Sequence, residues 1–354
     1  MRPLALGTLA LVALTALAGA SARPESTPPP ALLMTLTAPG ATRSTLVRWE
    51  GGSVETLAAF DHVEDAQPHG LALGDGRAAV VVEQVAQRDP SWSASLLLVS
   101  QGCVEHRADR VYPGTRPVRL PGDRLALARG RFGPPSPPGE YRVDALEVDA
   151  VPLAGGEPER LWAGTGFLAL PVGTTADELL LYVPGPAASP VVAVDLRTRA
   201  PRTLAADVPL ARDFSLAPGG QRLFFTAHGG ASREDWRVIE LGVLTGERRT
   251  LAERPLVALL PFAAQRGVLV QWDRAGLARW RGPSTEAEVH CTLGPGVDAW
   301  RVQSRDGRWL AGLHEPGDDF PRPVLLHVGQ RSVRAVDVPA GLRAEVLGFS
   351  GEAP

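Results

Sequence analysis

Short apolar runs, separated by Gly, Pro and Asp, recur along the chain from Leu32 onward. Runs of four to eight apolar or alternating residues bounded by turn residues predict β-strands, and no long stretch repeats with the period of a helix. In the clearest unit the pattern predicts four antiparallel strands at positions 213–216, 223–227, 236–241 and 248–251. The sequence therefore predicts an all-β protein built from four-stranded units.

The turn that closes the first hairpin of this unit, at 217–222, recurs along the chain, for example as GDGR at 74–77 and RDGR at 305–308. Successive copies are 41 to 54 residues apart, close to the ~40–45 residues of one four-stranded propeller blade. This period predicts a single β-propeller over residues 31–354, most simply of seven blades, and rings of six or eight blades are left open.

The seven-blade arrangement closes when residues 31–60 supply three strands of the first blade and residues 343–350 supply the fourth. Such closure leaves no exposed sheet edge between the chain ends. The other predicted blades span residues 66–107, 115–163, 166–206, 210–252, 256–294 and 297–340.

A family resemblance follows from these repeats. The stretch SLAPGGQRLFFT at 215–226, with DWRVIEL at 235–241 and TGERRTL at 245–251, resembles the repeat of TolB-type propellers, which are related to the WD-type class. RDGRWLA at 305–311 resembles the first part of that repeat. The resemblance implies a propeller fold and protein partners. TolB-type proteins also carry an α/β domain before the propeller, whereas a short leader precedes the first predicted strand here, so contacts made through that domain are not implied.

The first 22 residues have the pattern of a secretory signal peptide. Arg2 supplies the positive region, residues 4–17 the apolar core, and Ala20-Ser21-Ala22 the small-residue cleavage site, followed by a Pro-rich leader at 23–30. An uncleaved anchor is the alternative, but a membrane span needs roughly 20 apolar residues. We expect an exported protein, periplasmic or secreted, with no membrane span after cleavage.

The composition limits the classes of partner that the protein is expected to bind. All 36 basic residues are arginine, the formal net charge is -3, and no dense basic run occurs, so nucleic-acid binding is not expected. The two cysteines, Cys103 and Cys291, fall in predicted blades that do not touch, so we expect no disulfide between them and interpret both as buried apolar residues. Pairing between chains is the alternative.

No sequence motif of a catalytic centre or cofactor site is present. A Gly-x-Gly-like stretch at 164–169 leads to Pro171 and a strand rather than to a helix, so it does not predict a nucleotide site. The cluster formed by His314, Glu315, Asp318 and Asp319 has metal-like composition but lacks the alternation of a cation loop. We therefore predict no catalytic residue, no cofactor and no metal site.

The loops between the second and third strands are long and polar in four predicted blades, and they open on one face of the ring beside the central channel. Convergence of charged and aromatic side chains on a concavity is typical of a ligand or peptide site. The candidate binding residues on this face are Arg88, Asp89, Trp92, Arg131, Tyr141, His228, Arg233, Trp236, His314, Asp318 and Asp319.

Three functions fit this pattern. The leading hypothesis is a non-catalytic binding or scaffold protein that holds a protein or peptide through the loop-rich face. The first alternative is a hydrolase or lyase acting on a sugar or small ester at the channel mouth, and the second is a carbohydrate-binding propeller with exposed aromatics. Fold alone does not choose between them, and neither the partner nor the oligomeric state follows from the sequence.

Overall fold

The computed structural model describes residues 28–85, 93–133, 142–164, 168–185, 187–208, 210–228, 235–255, 260–263, 268–271, 276–280, 288–292, 297–314, 320–330 and 332–351. All regular structure in these ranges is β, in 28 strands, and none of their residues is helical. The prediction of an all-β fold is therefore confirmed.

The strands form antiparallel meanders of four. The chain begins with β1 (Leu32–Thr37), β2 (Arg43–Glu50) and β3 (Ser53–Asp61). Next come β4 (His69–Ala72), β5 (Ala78–Glu83), β6 (Ala94–Ser100), β7 (Cys103–Val111), β8 (Val118–Leu120), β9 (Arg124–Gly133), β10 (Arg142–Pro152) and β11 (Glu159–Gly164). These are followed by β12 (Leu170–Thr174), β13 (Glu178–Tyr182), β14 (Val191–Asp195), β15 (Pro201–Ala205), β16 (Arg212–Leu216), β17 (Arg222–His228), β18 (Asp235–Gly242) and β19 (Arg248–Pro255). The last are β20 (Leu260–Ala263), β21 (Val268–Gln271), β22 (Gly276–Trp280), β23 (Glu288–Thr292), β24 (Val297–Gln303), β25 (Trp309–His314), β26 (Arg322–His327), β27 (Ser332–Ala335) and β28 (Arg343–Phe349).

Hydrogen bonding groups the described strands into six sheets. Five have four strands, and one has eight because β7 and β9 are joined at a single residue pair, Val111 with Arg129. The arrangement is a propeller-like ring of four-stranded sheets, whereas the count of seven separate blades remains a prediction.

The ring closes as the sequence predicted. β28 pairs antiparallel with β1, so the first sheet has the order β28-β1-β2-β3 and joins the two ends of the described chain. The innermost strands then contact one another around the ring, in the order β8, β12, β16, β20, β24, β28 and β4. Between β4 and β8 the contact is made instead by the junction of β7 with β9. The inner strands therefore surround the axis of the ring, and we call the space beside this axis the channel.

Burial follows strand position. The middle strands β5, β6 and β14 are almost completely buried, whereas β7 and β27 at the outer edges are largely exposed. A middle strand is covered on both faces by the neighbouring sheets, which explains why such strands are continuous apolar runs rather than alternating ones.

Strand alternation defines two faces of the ring. In each four-stranded meander, the second strand ends and the third begins at the same end of the ring at which the fourth strand ends, and we call this end the mouth face. The hairpin turns between first and second, and between third and fourth, strands lie on the opposite face. Arg202 ties neighbouring sheets near that opposite face, because its guanidinium binds both Glu178 oxygens at 2.7 Å and the Val243 carbonyl oxygen at 2.9 Å.

Two expectations were wrong. Arg131, predicted to lie in a loop between the second and third strands, lies in β9 opposite Ala145, because the β9–β10 hairpin extends its pairing to Gly133. Cys103 is a free and exposed thiol rather than a buried apolar residue, because it begins the outer strand β7. Its free state agrees with the expected absence of a bond to Cys291.

Two further expectations concern the first residues and the membrane. The predicted signal peptide, residues 1–22, lies outside the described residues and stays a prediction. In the part of the chain that the structure describes, no helix is long and apolar enough to cross a membrane.

Candidate functional site

The structure places only some of the predicted binding residues. His228, Trp236 and His314 are described, and Arg131 lies in β9. His314 is the last residue of β25, half-buried and paired across to Arg322. The remaining predicted residues lie outside the described ranges: Arg88, Asp89, Trp92, Tyr141, Arg233, Asp318 and Asp319.

His228 and Trp236 lie together on the mouth face. They are cross-strand partners at the ends of β17 and β18, and their rings meet edge to face with centroids 5.5 Å apart. The guanidinium carbon of Arg212 lies 4.1 Å from the centroid of the Trp236 ring, within cation–π distance. This ladder of three side chains leads from the mouth loops inward to the first residue of the inner strand β16.

Next to Arg212, at the inner end of the ladder, lies Asp213, the second residue of β16. Arg212 Nε lies 3.2 Å from Asp213 Oδ2. The register of β16 against β17 shifts between Arg212 and Ser215, and Asp213 has φ of +56°, in the left-handed region that few residues other than glycine adopt. Bulges of this kind re-aim a side chain and are over-represented next to functional sites.

The surrounding core fixes this conformation. The Tyr182 hydroxyl donates to the Val208 carbonyl oxygen and accepts from the Ala211 amide, both at 3.0 Å, and so holds the connection that leads into β16. Phe214 packs against Tyr182 and Phe225, with ring centroids 5.3 and 5.2 Å apart. Because the Phe214 ring is held in the core, the bulge keeps Asp213 in place beside the channel.

Charges from three inner-strand regions act on Asp213. Burial by the surrounding protein raises the pKa of its carboxyl above the ordinary value, and the positive charges of Arg212, Arg116 and Arg301 lower it to a smaller extent. Arg116 lies two residues before β8, and Arg301 lies in β24 at another register shift of an inner strand. Inner strands of three different sheets therefore direct charge toward one carboxyl group.

The Asp213 side chain is one-third exposed, so solvent reaches the carboxyl although protein surrounds much of it. With three guanidiniums and one carboxyl, this group of side chains has a positive net charge. A positively charged region of this kind attracts anionic groups, and arginine can bind carboxylates through two parallel hydrogen bonds. We call Asp213, Arg116, Arg212 and Arg301 the channel cluster.

The sequence did not single out the channel cluster, because its members are separated by almost the whole propeller and belong to no motif. The available signal was positional: Arg116, Arg212 and Arg301 all lie at or near the first strand of a repeat, a few residues before its turn. Aligning the repeat starts would have shown charge recurring at that place.

The part of the chain that the structure describes gives no geometry for a metal site. Among the described residues, no three or more His, Cys, Asp or Glu side chains come close enough together to hold an ion. Asp318 and Asp319 of the predicted acidic cluster fall outside those residues, so the prediction for that loop stays untested.

Comparison with known proteins shows the fold. No protein-family profile matches the chain, and no curated protein sequence is similar to it. Among solved structures, TolB from Acinetobacter baumannii is similar at 12% identity with a TM-score of 0.52, over 90% of this chain and 67% of TolB. TolB and other propeller proteins are thus structural neighbours, and at this identity the likeness concerns the fold alone.

Two enzymes of different kinds are equally similar. A puromycin-hydrolyzing peptidase of Mycobacterium tuberculosis has 17% identity and a TM-score of 0.54, over 86% of this chain and 51% of the peptidase. A putative 6-phosphogluconolactonase of Bacteroides uniformis has 9% identity and a TM-score of 0.55, over 91% and 98% of the two chains. The chain spans about half the length of the peptidase, so these neighbours do not assign an activity.

Proposed function

We propose that this protein is an exported seven-bladed β-propeller that binds a protein or peptide through its mouth face without catalysing a reaction on it. In this proposal the eight-stranded sheet is two blades, β4 to β7 and β8 to β11, joined at the one pair between β7 and β9. Export rests on the apolar segment at 4–17 and the small residues at 20–22. The protein would act in the periplasm or outside the cell.

The observation that carries the proposal is the channel cluster. Its three arginines come from three different sheets, its carboxyl lies beside Arg212 on β16, and the adjoining ladder of Arg212, Trp236 and His228 extends toward the mouth face. A cluster with positive net charge and aromatic side chains beside it suits a peptide segment that carries acidic groups.

An enzyme is the second candidate, and the raised pKa of Asp213 is the observation that favours it. A carboxyl whose pKa is raised can serve as a general acid or base. The groups that act on Asp213, however, are arginines, which bind anions but do not exchange protons near neutral pH. Ligand binding therefore uses the whole cluster, whereas catalysis would use one member of it.

Carbohydrate binding has less support. A sugar-binding aromatic needs a free ring face, and one face of the half-buried Trp236 ring is covered by the Arg212 guanidinium while His228 meets the ring in an edge-to-face contact. Trp92 and Tyr141, the other aromatics of that prediction, lie outside the described residues.

The test is a display library of random peptides, selected on residues 23–354 of the wild type and of the Arg212→Ala/Arg301→Ala variant. Arg160→Ala is the matched control, because Arg160 is an exposed arginine on the outer strand β11, paired with Glu147. We expect acidic peptides to be enriched on the wild type and the control and lost on the double variant. The proposal would be contradicted if no peptide were enriched, or if the same peptides were enriched on all three proteins.

Ester or lactone hydrolysis by the wild type that disappears in Asp213→Asn would favour the enzyme candidate instead. Circular dichroism spectra of all variants establish that they are folded.

A further inference from the structure

A cavity of about 250 Å³ opens on the mouth face between the last sheet, the first sheet and the connection to β4. Apolar groups from two segments form part of its lining: Ala66 and Pro68 from the connection, and Leu313 from β25. Because a water molecule takes about 30 Å³ in the liquid, this volume equals roughly eight waters. It therefore suits one amino-acid residue rather than a folded partner.

The charged lining of the cavity combines two arginines and one carboxylate. Arg301, which also belongs to the channel cluster, lies in β24, and Arg343 and Glu345 lie on β28. Within the described part of the chain, neither guanidinium is part of an ion pair, although the Arg343 guanidinium lies 5.4 Å from the Phe320 ring centroid. Two guanidiniums at one cavity can together bind a carboxylate.

The hydroxyl groups of the cavity are already used inside the protein. Thr35 Oγ1 donates to the Pro68 carbonyl oxygen at 3.1 Å, and Thr37 Oγ1 lies 2.5 Å from Ser44 Oγ. Both threonines are buried. The described donors left for an anion are therefore mainly the two guanidiniums, and the nearby Glu345 carboxylate opposes a doubly charged group. A carboxylate matches these donors better than a phosphate does.

We propose that this cavity binds the C-terminal residue of a peptide or protein. Its α-carboxylate is held between Arg301 and Arg343, its apolar side chain packs in the cavity, and Glu345 accepts a hydrogen bond from a peptide N–H. Because Arg301 also belongs to the channel cluster, the preceding residues of the ligand continue from the cavity into the channel mouth. This inference rests on the proposed peptide-binding function and specifies which part of the peptide is recognised.

The experiment uses fluorescein-labelled random hexapeptides that end in leucine, prepared once as free acids and once as C-terminal amides. Fluorescence anisotropy measures their binding to the wild type and to the variants Arg301→Gln, Arg343→Gln and Arg160→Gln. We expect the free acids to bind at least tenfold more tightly than the amides. Arg301→Gln and Arg343→Gln should remove most of this difference, and Arg160→Gln should leave it unchanged.

Competitors identify the source of the carboxylate. Unlabelled N-acetyl-leucine should displace the acids only weakly, because it lacks the preceding residues that contact the channel mouth. Displacement by N-acetyl-leucine at the same concentration as by the unlabelled hexapeptides would reassign the cavity to a free small acid. Displacement by inorganic phosphate but not by acetate would reassign it to a phosphate. Either result overturns the inference.

The outcomes separate this inference from the proposed function. Equal binding of acids and amides that is lost in Arg212→Ala/Arg301→Ala would refute recognition of the C-terminus while the proposed peptide binding stands. Absence of binding by every peptide would refute both. Equal unfolding midpoints of the wild type and the glutamine variants exclude loss of fold as the cause.

Discussion

A buried hydrogen-bond chain beside the inter-sheet cavity predicts a large loss of stability in Ser44→Ala. The Ser44 side chain is buried, with Oγ 2.5 Å from Thr37 Oγ1 and 2.7 Å from His62 Nε2. His62 Nδ1 lies 2.7 Å from the Val63 carbonyl oxygen, which can only accept, so Nδ1 carries the proton and Nε2 accepts from Ser44. The Ser44 hydroxyl therefore connects two other buried polar groups.

Alanine at position 44 leaves His62 Nε2 and the Thr37 hydroxyl without this partner. Each buried polar group that loses its partner costs about 1–3 kcal/mol. Because the Thr37 hydroxyl can rotate toward another acceptor, we expect Ser44→Ala to lower the free energy of unfolding by about 2–4 kcal/mol in total.

Urea unfolding followed by circular dichroism measures this loss. The matched control in the same sheet is Ser53→Ala, because the exposed Ser53 hydroxyl donates only to the Glu50 carbonyl oxygen, at 2.8 Å. We expect the control to change the unfolding free energy by no more than about 0.5 kcal/mol. A Ser44→Ala loss no larger than that of the control would refute the reasoning that the buried chain stabilises the first sheet.

Three further predictions concern the channel, the ring closure and the sheet contacts. Burial raises the pKa of the Asp213 carboxyl in the folded state, because the folded protein disfavours its ionised form. The contribution of Asp213 to the free energy of unfolding is therefore fully present below the unfolded pKa of this carboxyl and is lost as the pH rises through its folded pKa. In urea unfolding, Asp213→Asn should therefore gain stability relative to the wild type as the pH rises above about 4, the ordinary pKa of an aspartate, and a difference that does not change with pH would contradict this. Gly348→Ala should cost about 1–3 kcal/mol more than Gly351→Ala in the same assay, because both have positive φ but only the Cβ at 348 would meet β4, at 2.8 Å. Arg202→Lys should cost about 1 kcal/mol in thermal or urea unfolding, because lysine cannot bind both Glu178 oxygens in parallel, and an unchanged midpoint would show that this partly exposed contact contributes little.

The repeat architecture could be predicted because its causes are local. Apolar runs of strand length and turns rich in Gly and Asp mark each hairpin, and the observed β16 to β19 contain the four strands predicted for 213–251. Pairing of the C-terminal strand with β1 also followed, because three strands at 31–60 left one edge of a four-stranded unit empty.

The candidate site depends on contacts that no local pattern reports. The conformation of Asp213 comes from the register shift between β16 and β17, and its electrostatic neighbours Arg116 and Arg301 are brought near by ring closure. Arg131 was assigned to a long polar loop, but pairing with β10 extends β9 to Gly133. Cross-strand pairing thus decided where this strand ends, which the residues alone do not report.

The central claim is that the mouth face, rather than the opposite face, binds the peptide. Two single-site variants carry a photoreactive amino acid, one in place of Leu210 and the other in place of Leu244. Leu210 is exposed on the mouth face three residues before Asp213, and Leu244 is exposed on the opposite face in the turn between β18 and β19. Each protein is irradiated with the acidic peptides selected from the display library. We expect cross-linked peptide from position 210 and none above background from position 244. Cross-linking from 244 alone, or equally from both positions, would contradict the central claim.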